Sequence, residues 1–162
     1  MTTSTDKPTD WGDECFYCET CGAAFRARMF DISKDHERTI FFEGDRPPEV
    51  EIAESVTIGQ FCSQHCRDQA RVDILRQENI RATYPGIGPV ETCSRCGNPV
   101  DMTVFHRTYV EYETEHDWGH FVAEVHNATV VAIVCHRCNK PPGLTVASEK
   151  IAAGGDVERT PL

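Results

Sequence analysis

Short stretches of alternating apolar and polar residues, separated by turn formers, occupy the first half of the chain. Aromatic or β-branched content predicts strands at 25–32, 39–42 and 50–58. The last two flank the turn Gly44-Asp45-Arg46-Pro47-Pro48, in which glycine and proline break regular structure. This half is therefore expected to contain one or two β-hairpins.

One longer segment, at 63–81, contains neither proline nor glycine. Its apolar residues include Ala70, Ile74 and Leu75, which recur at helical spacing, and Ser63 is suited to cap the first turn. We therefore predict a single helix here.

The second half has the composition of a β-sheet. Residues rich in Val, Tyr, Phe and Thr predict three antiparallel strands at 103–113, 119–126 and 129–134, with turns at 113–118 and around Asn127. The run Val130–Val134 is apolar on both faces, which predicts a central strand covered on one side by the first half.

Composition divides the chain into segments. Residues 1–13 are polar and acidic and are expected to form a disordered leader, and residues 143–162 a flexible tail. The run Tyr-Pro-Gly-Ile-Gly-Pro at 84–89 predicts a linker between one domain at 14–83 and another at 90–142.

Eight of the nine cysteines form four pairs whose members are three or four positions apart. The pairs are Cys18/Cys21, Cys62/Cys66, Cys93/Cys96 and Cys135/Cys138. This spacing suits tetrahedral Zn²⁺, and four thiolates leave no position for a catalytic water. We predict two structural zinc ions, one for each half, which supply stability that domains this small lack. Cys15 is left over, either as a free thiol or as a substitute ligand.

The motifs Cys18-x-x-Cys21-Gly22 and Phe61-Cys62-Ser63-Gln64-His65-Cys66 closely resemble those of FCS-type treble-clef zinc fingers. The second half, which begins and ends on Cys-x-x-Cys knuckles, looks like a zinc ribbon. The resemblance implies a small, metal-stabilised α+β fold, a treble clef followed by a three-stranded antiparallel ribbon. It also implies a finger that contacts protein or RNA.

The net charge of the chain limits the kinds of partner that it can bind. The formal net charge is −10, and eight zinc-bound thiolates with two Zn²⁺ would make it about −14, which disfavours a general polyanion binder. A local basic face is the alternative: Arg67 and Arg71 share a helical face, Arg26 and Arg28 lie near the first knuckle, and Arg76 and Arg81 follow on the helix. These four, Arg26, Arg28, Arg67 and Arg71, are the candidate DNA or RNA contacts.

Two further hypotheses concern histidines. Asp35-His36 after the first knuckle is similar to the base of HNH nucleases, but no asparagine lies between His36 and Cys62. His116 and His120, four residues apart in an acidic segment, are candidates for a third metal site.

The sequence therefore predicts a non-catalytic, two-zinc binding or adaptor protein that docks on another protein. A DNA- or RNA-associated factor is the first alternative and an HNH-like nuclease the second. We expect no membrane segment, no small-molecule substrate and a cytoplasmic location, the host cytoplasm if the chain is viral. Arginine outnumbers lysine 12 to 4, which is typical of a high-GC or salt-adapted source, including a virus of such a host.

Overall fold

A computed structural model describes residues 15–139, so the predicted leader at 1–13 and tail at 143–162 lie outside the described residues. These residues form a small α+β structure with antiparallel sheets and one helix, as expected. In chain order the elements are β1 Phe16–Tyr17, β2 Ala24–Phe25, β3 Arg28–Ile40, β4 Glu49–Phe61, α1 Gln64–Gln77, β5 Val90–Thr92, β6 Pro99–Asp101, β7 His106–Asp117 and β8 Val122–Val134.

A four-stranded sheet of order β4-β3-β7-β8 is the scaffold. Strand β3 pairs with β4 on one side and with β7 on the other, from Arg28 opposite Glu115 to Glu37 opposite His106. Two small hairpins, β1-β2 and β5-β6, form separate two-stranded sheets. Strands from both sides of the segment at 84–89 therefore share one hydrogen-bonded sheet.

The first half forms two hairpins, the short β1-β2 and the long β3-β4, and the predicted turn at 44–48 lies between β3 and β4. Ser63 caps the helix as predicted, with extended backbone angles and a side chain that accepts a hydrogen bond from the Cys66 N–H. The helix ends at Gln77, earlier than expected, because Asn79 takes a left-handed conformation with φ of 53°.

Three predictions for the second half are wrong. The turn expected at 113–118 lies mostly within β7, which continues to Asp117, and the chain turns at 118–121 instead. The turn expected around Asn127 is absent, because β8 runs continuously from Val122 to Val134 and Asn127 pairs with Glu113 beside a β-bulge. The run Val130–Val134 lies in an edge strand of the sheet, not a central one. Its last four residues are nevertheless fully buried, because the segments 81–84 and 93–94 pack against that edge through hydrogen bonds to strand carbonyls.

The helix packs on one face of the sheet. Ile32 and Phe61 are fully buried beneath it, and Ile74 of the helix packs against them. Gly59 on β4 permits this close approach, since an added Cβ would lie 2.8 Å from Ile74 Cδ1.

A row of buried polar residues occupies alternate positions of β3. Its members are Asp31, Ser33, Asp35, Glu37 and Thr39, all at most 5% exposed. Neighbouring strands supply hydroxyl donors: Ser55 Oγ and Tyr112 Oη donate to the two oxygens of Asp35, at 2.5 and 2.6 Å. Buried carboxylates need such donors, so this row depends on residues distant in sequence.

Within residues 15–139 the structure has no helix long and apolar enough to cross a membrane.

Candidate metal centres

The first cysteine cluster consists of Cys18, Cys21, Cys62 and Cys66, whose sulfur atoms all lie within 4.8 Å of one another. The Cys21 and Cys62 sulfurs are 3.7 Å apart, and the Cys62 and Cys66 sulfurs 3.9 Å. A tetrahedral ion with metal–sulfur bonds of about 2.3 Å would place its sulfurs about 3.8 Å apart. The cluster therefore has the size of a tetrahedral thiolate site.

Three pieces of local structure bring these sulfurs together. The hairpin β1-β2 carries Cys18 and Cys21 in its turn, where Gly22 has a φ of +73° and donates its N–H to the Cys18 carbonyl at 2.8 Å. Only glycine takes this angle without strain, which explains its place after the cysteine pair. Cys62 follows β4 directly, and Cys66 lies in the first turn of α1.

The second cluster consists of Cys93, Cys96, Cys135 and Cys138 and repeats this geometry. The Cys96 and Cys135 sulfurs are 3.7 Å apart. Gly97, again with φ of +73°, donates its N–H to the Cys93 carbonyl at 2.9 Å in the turn of β5-β6. Cys135 follows the end of β8, and its backbone N–H donates to Cys93 Sγ at 3.3 Å.

Electrostatics within each cluster favour a bound cation. Burial disfavours the thiolate of Cys18, but backbone hydrogen bonds lower the pKa of this group to about 6, and the pKa of Cys93 falls to about 6 for the same reasons. Burial and then the neighbouring cysteines raise the pKa values of Cys62 and Cys138 to about 12. Four thiolates so close together repel one another, and a divalent cation would remove this repulsion.

The two predicted cysteine quartets are thus brought together, and each can hold a metal ion. In the described part of the chain, no other group of three or more potential ligands has its atoms within 4.8 Å of one another. Cys15 belongs to neither cluster.

The histidines of the two further hypotheses lie elsewhere. His120 contacts Asp117 at 2.7 Å, whereas the ring of His116 packs against Phe16 and Trp118. His36 lies on β3 with its ring 5.2 Å from that of Phe105.

Three of the four arginines proposed for nucleic acid pair with glutamates of β7. Arg67 and Arg71 converge on the buried Glu111, and the hydrogen bond that Arg71 donates to that carboxylate is the main cause of its raised pKa. Arg28 pairs with two glutamates of β7, at 3.2 and 3.5 Å. Arg26 lies over the ring of Trp118.

A second set of arginines comes together beside the second cluster. Arg71, Arg76, Arg81 and Arg95 line one groove between the helix and the β5-β6 hairpin. Sequence spacing indicated the basic helix but gave no reason to group it with Arg95, which lies between the cysteines of the third pair. Only the packing of the two halves makes these residues neighbours.

Comparison of the chain with family models, curated proteins and solved structures found no significant match, so no relative supplies a role for either cluster.

Proposed function

We propose that this chain is a non-catalytic protein-binding module in which each cysteine cluster holds one structural Zn²⁺. The observation that carries the proposal is the closure of both sites by four sulfur donors. Catalytic zinc keeps a position open for water or substrate, and structural zinc does not.

The donor chemistry supports zinc over other cations. Thiolates are soft ligands that magnesium and calcium avoid, and tetrahedral four-sulfur sites are typical of zinc or iron. Each ion would join a small hairpin to a distant part of the chain. The first would link Cys18 to Cys66 and the second Cys93 to Cys138.

The order of knuckle, hairpin and capped helix in the first half supports a treble clef. In the second half, two knuckles flanking long strands support a ribbon-like module, although two long strands and a separate short hairpin replace the three strands expected. Both assignments remain part of this proposal.

Elemental analysis of the purified full chain tests the metal assignment. We expect two zinc ions per chain, one after Cys21→Ser or Cys96→Ser, and still two after Cys15→Ser, the matched control outside both clusters. Removal of zinc by a chelator should abolish the cooperative thermal transition, because the ions replace a large core. A metal-free chain with an unchanged transition would overturn the assignment.

Protein docking is supported over nucleic-acid binding because arginines of the predicted basic face already pair with carboxylates of the chain itself. Arg28, Arg67 and Arg71 are already engaged by carboxylates of β7, which reduces the positive field they offer to phosphates. A DNA- or RNA-associated role through these residues is accordingly the weaker proposal, and a nuclease role weaker still.

Cross-linking in cells of the source organism, followed by reconstitution of the cross-linked pair from purified components, tests the docking function. We expect a defined complex that requires zinc. Failure of every cross-linked protein to reconstitute a complex, together with salt-dependent oligonucleotide binding lost in Arg67→Glu, would replace docking with the nucleic-acid role.

A further inference from the structure

A groove of about 720 Å³ lies between the C-terminal half of α1, the segment that follows it, and the β5-β6 hairpin. Its apolar lining includes Val72, Leu75 and Ile80. Leu75 and Ile80 belong to the buried core, whereas Val72 is 60% exposed. The aliphatic floor of the groove therefore consists mainly of Val72, since the core covers most of Leu75 and Ile80.

Four arginines and no carboxylate line this groove, although the whole chain carries a formal charge of −10. Arg71 is held by Glu111 and Asp68. Arg76 pairs only with Asp73, and both of these side chains are about 70% exposed, at 73% and 69%. An ion pair this exposed contributes little and leaves Arg76 available to another anion.

The other two arginines form no ion pair with a carboxylate among residues 15–139. Arg95 donates to the backbone carbonyls of Cys138 and Glu78, at 2.6 and 2.7 Å, and its buried Nε has no acceptor. Arg81 is exposed, and its backbone is fixed by the Ser94 hydroxyl, which contacts both its N–H and its carbonyl oxygen. Arg81 therefore has no carboxylate partner among the described residues. Arg95 lies near the Glu78 carboxylate, because the Tyr109 hydroxyl contacts both side chains.

We propose that this groove binds an acidic amphipathic segment of a partner protein, an inference that rests on the protein-docking function proposed above. Aliphatic side chains of the segment would lie on the floor, and its Asp or Glu side chains would pair with Arg76 and Arg81. Arginine suits this role because its planar group binds carboxylates through two parallel hydrogen bonds. Helices that dock in grooves present apolar anchors in the same manner.

The lining favours a peptide over a nucleic-acid strand. Single-stranded nucleic acid is bound by basic grooves in which bases stack on aromatic side chains. None of the residues that line this groove is aromatic. An aliphatic floor complements leucine-like side chains and offers no stacking surface to bases.

The groove also depends on the second metal centre. Arg95 lies between Cys93 and Cys96, and the carbonyl that holds it belongs to Cys138. The cluster geometry therefore fixes the orientation of this guanidinium.

The test measures fluorescence anisotropy of a labelled 14-residue peptide with leucines at i, i+3 and i+7 and glutamates elsewhere on its surface. The full-length, zinc-loaded chain should bind it, and a peptide with lysine in place of each glutamate should not bind. Arg76→Glu and Arg81→Glu should each weaken binding about tenfold, because each change replaces an attraction by a repulsion. Arg46→Glu is the matched control: Arg46 is exposed and pairs with Glu49 at the same i,i+3 spacing, but it lies in the β3–β4 turn. It should change the affinity less than about twofold, as expected for a charge remote from the site.

The alternative outcomes separate this inference from the proposed function. Suppose that the glutamate peptide binds equally to wild type, Arg76→Glu and Arg81→Glu. Docking would then take place on another surface, and the proposed role of the groove would be refuted while the docking function stands. No peptide binding, with binding of a 15-residue oligothymidylate that is lost in Arg81→Glu, would assign the groove to nucleic acid. If neither probe binds, the proposed role of the groove is also refuted. The docking function would then be judged by its own reconstitution experiment. Zinc content and circular dichroism of each variant show that it is folded.

Discussion

Replacement of Asp31 by asparagine should stabilise the protein at neutral and alkaline pH. Asp31 is 5% exposed and accepts a hydrogen bond from Ser33 Oγ at 2.7 Å. Burial raises its pKa to about 6, the negative charge of Asp35 adds to this effect, and the Ser33 hydrogen bond and the charge of Arg67 oppose it. The native fold thus holds a carboxylate where its charge is disfavoured.

The size of the effect follows from the pKa difference. An ordinary Asp has a pKa of 3.8, against about 6 in the folded state. Because a tenfold change in a proton equilibrium corresponds to about 1.4 kcal/mol, ionised Asp31 costs the fold up to about 3 kcal/mol. Since the folded state keeps the proton to higher pH, stability from this group is lost as pH rises from about 4 to about 6. Asparagine does not ionise, so the Asp31→Asn variant keeps this stability. Its free energy of unfolding should exceed that of wild type by up to about 3 kcal/mol at pH 8 and by about half of that at pH 5.

Urea denaturation of the zinc-loaded chain at several pH values between 5 and 8, followed by circular dichroism, measures this difference. Asp45→Asn is the control, since it makes the same chemical change in an exposed turn and should alter stability little at any pH. A gain from Asp31→Asn that does not grow between pH 5 and pH 8, or a variant less stable than wild type at pH 8, would refute the reasoning.

Two further substitutions test the sheet, again by urea denaturation. Tyr112→Phe removes the donor at 2.6 Å from the fully buried Asp35 and should cost about 1–3 kcal/mol, and a loss below about 0.3 kcal/mol would show that the hydroxyl is dispensable. Gly59→Ala would place a methyl group 2.8 Å from Ile74 Cδ1 and should cost about 1–3 kcal/mol. Gly86→Ala, whose added methyl group would meet nothing within 4 Å, is its control, and equal effects of the two would contradict the packing argument.

Features set by neighbouring residues could be predicted from the sequence. Paired cysteines, the glycine after each knuckle and the Ser63 cap act within a few residues, and the structure has the clusters, the two knuckle turns and the helix start where they were expected. The turn at 44–48 could be predicted for the same reason, since it too depends only on neighbouring residues.

Features that depend on partners distant in the sequence could not be predicted from it. Strand β3 continues through the polar stretch 33–38, which sequence pattern alone does not mark as a strand. It does so because hydroxyls of Ser55 and Tyr112 satisfy Asp35 from the neighbouring strands. Asn127, a turn former by propensity, is likewise kept in a strand by its ladder partner Glu113.

The shared sheet bears on how the two metal centres act together. Strand β3 enters the sheet from the first half and hydrogen-bonds to β7 of the second along ten residue pairs, so neither half can lose its strand without exposing the edge of the other. The groove has the same origin, because one wall is the helix whose first turn carries Cys66 and the other is the hairpin that holds Cys93. On the proposed function, a ligand in the groove would contact elements joined by both ions, and its affinity should fall when either cluster loses its metal.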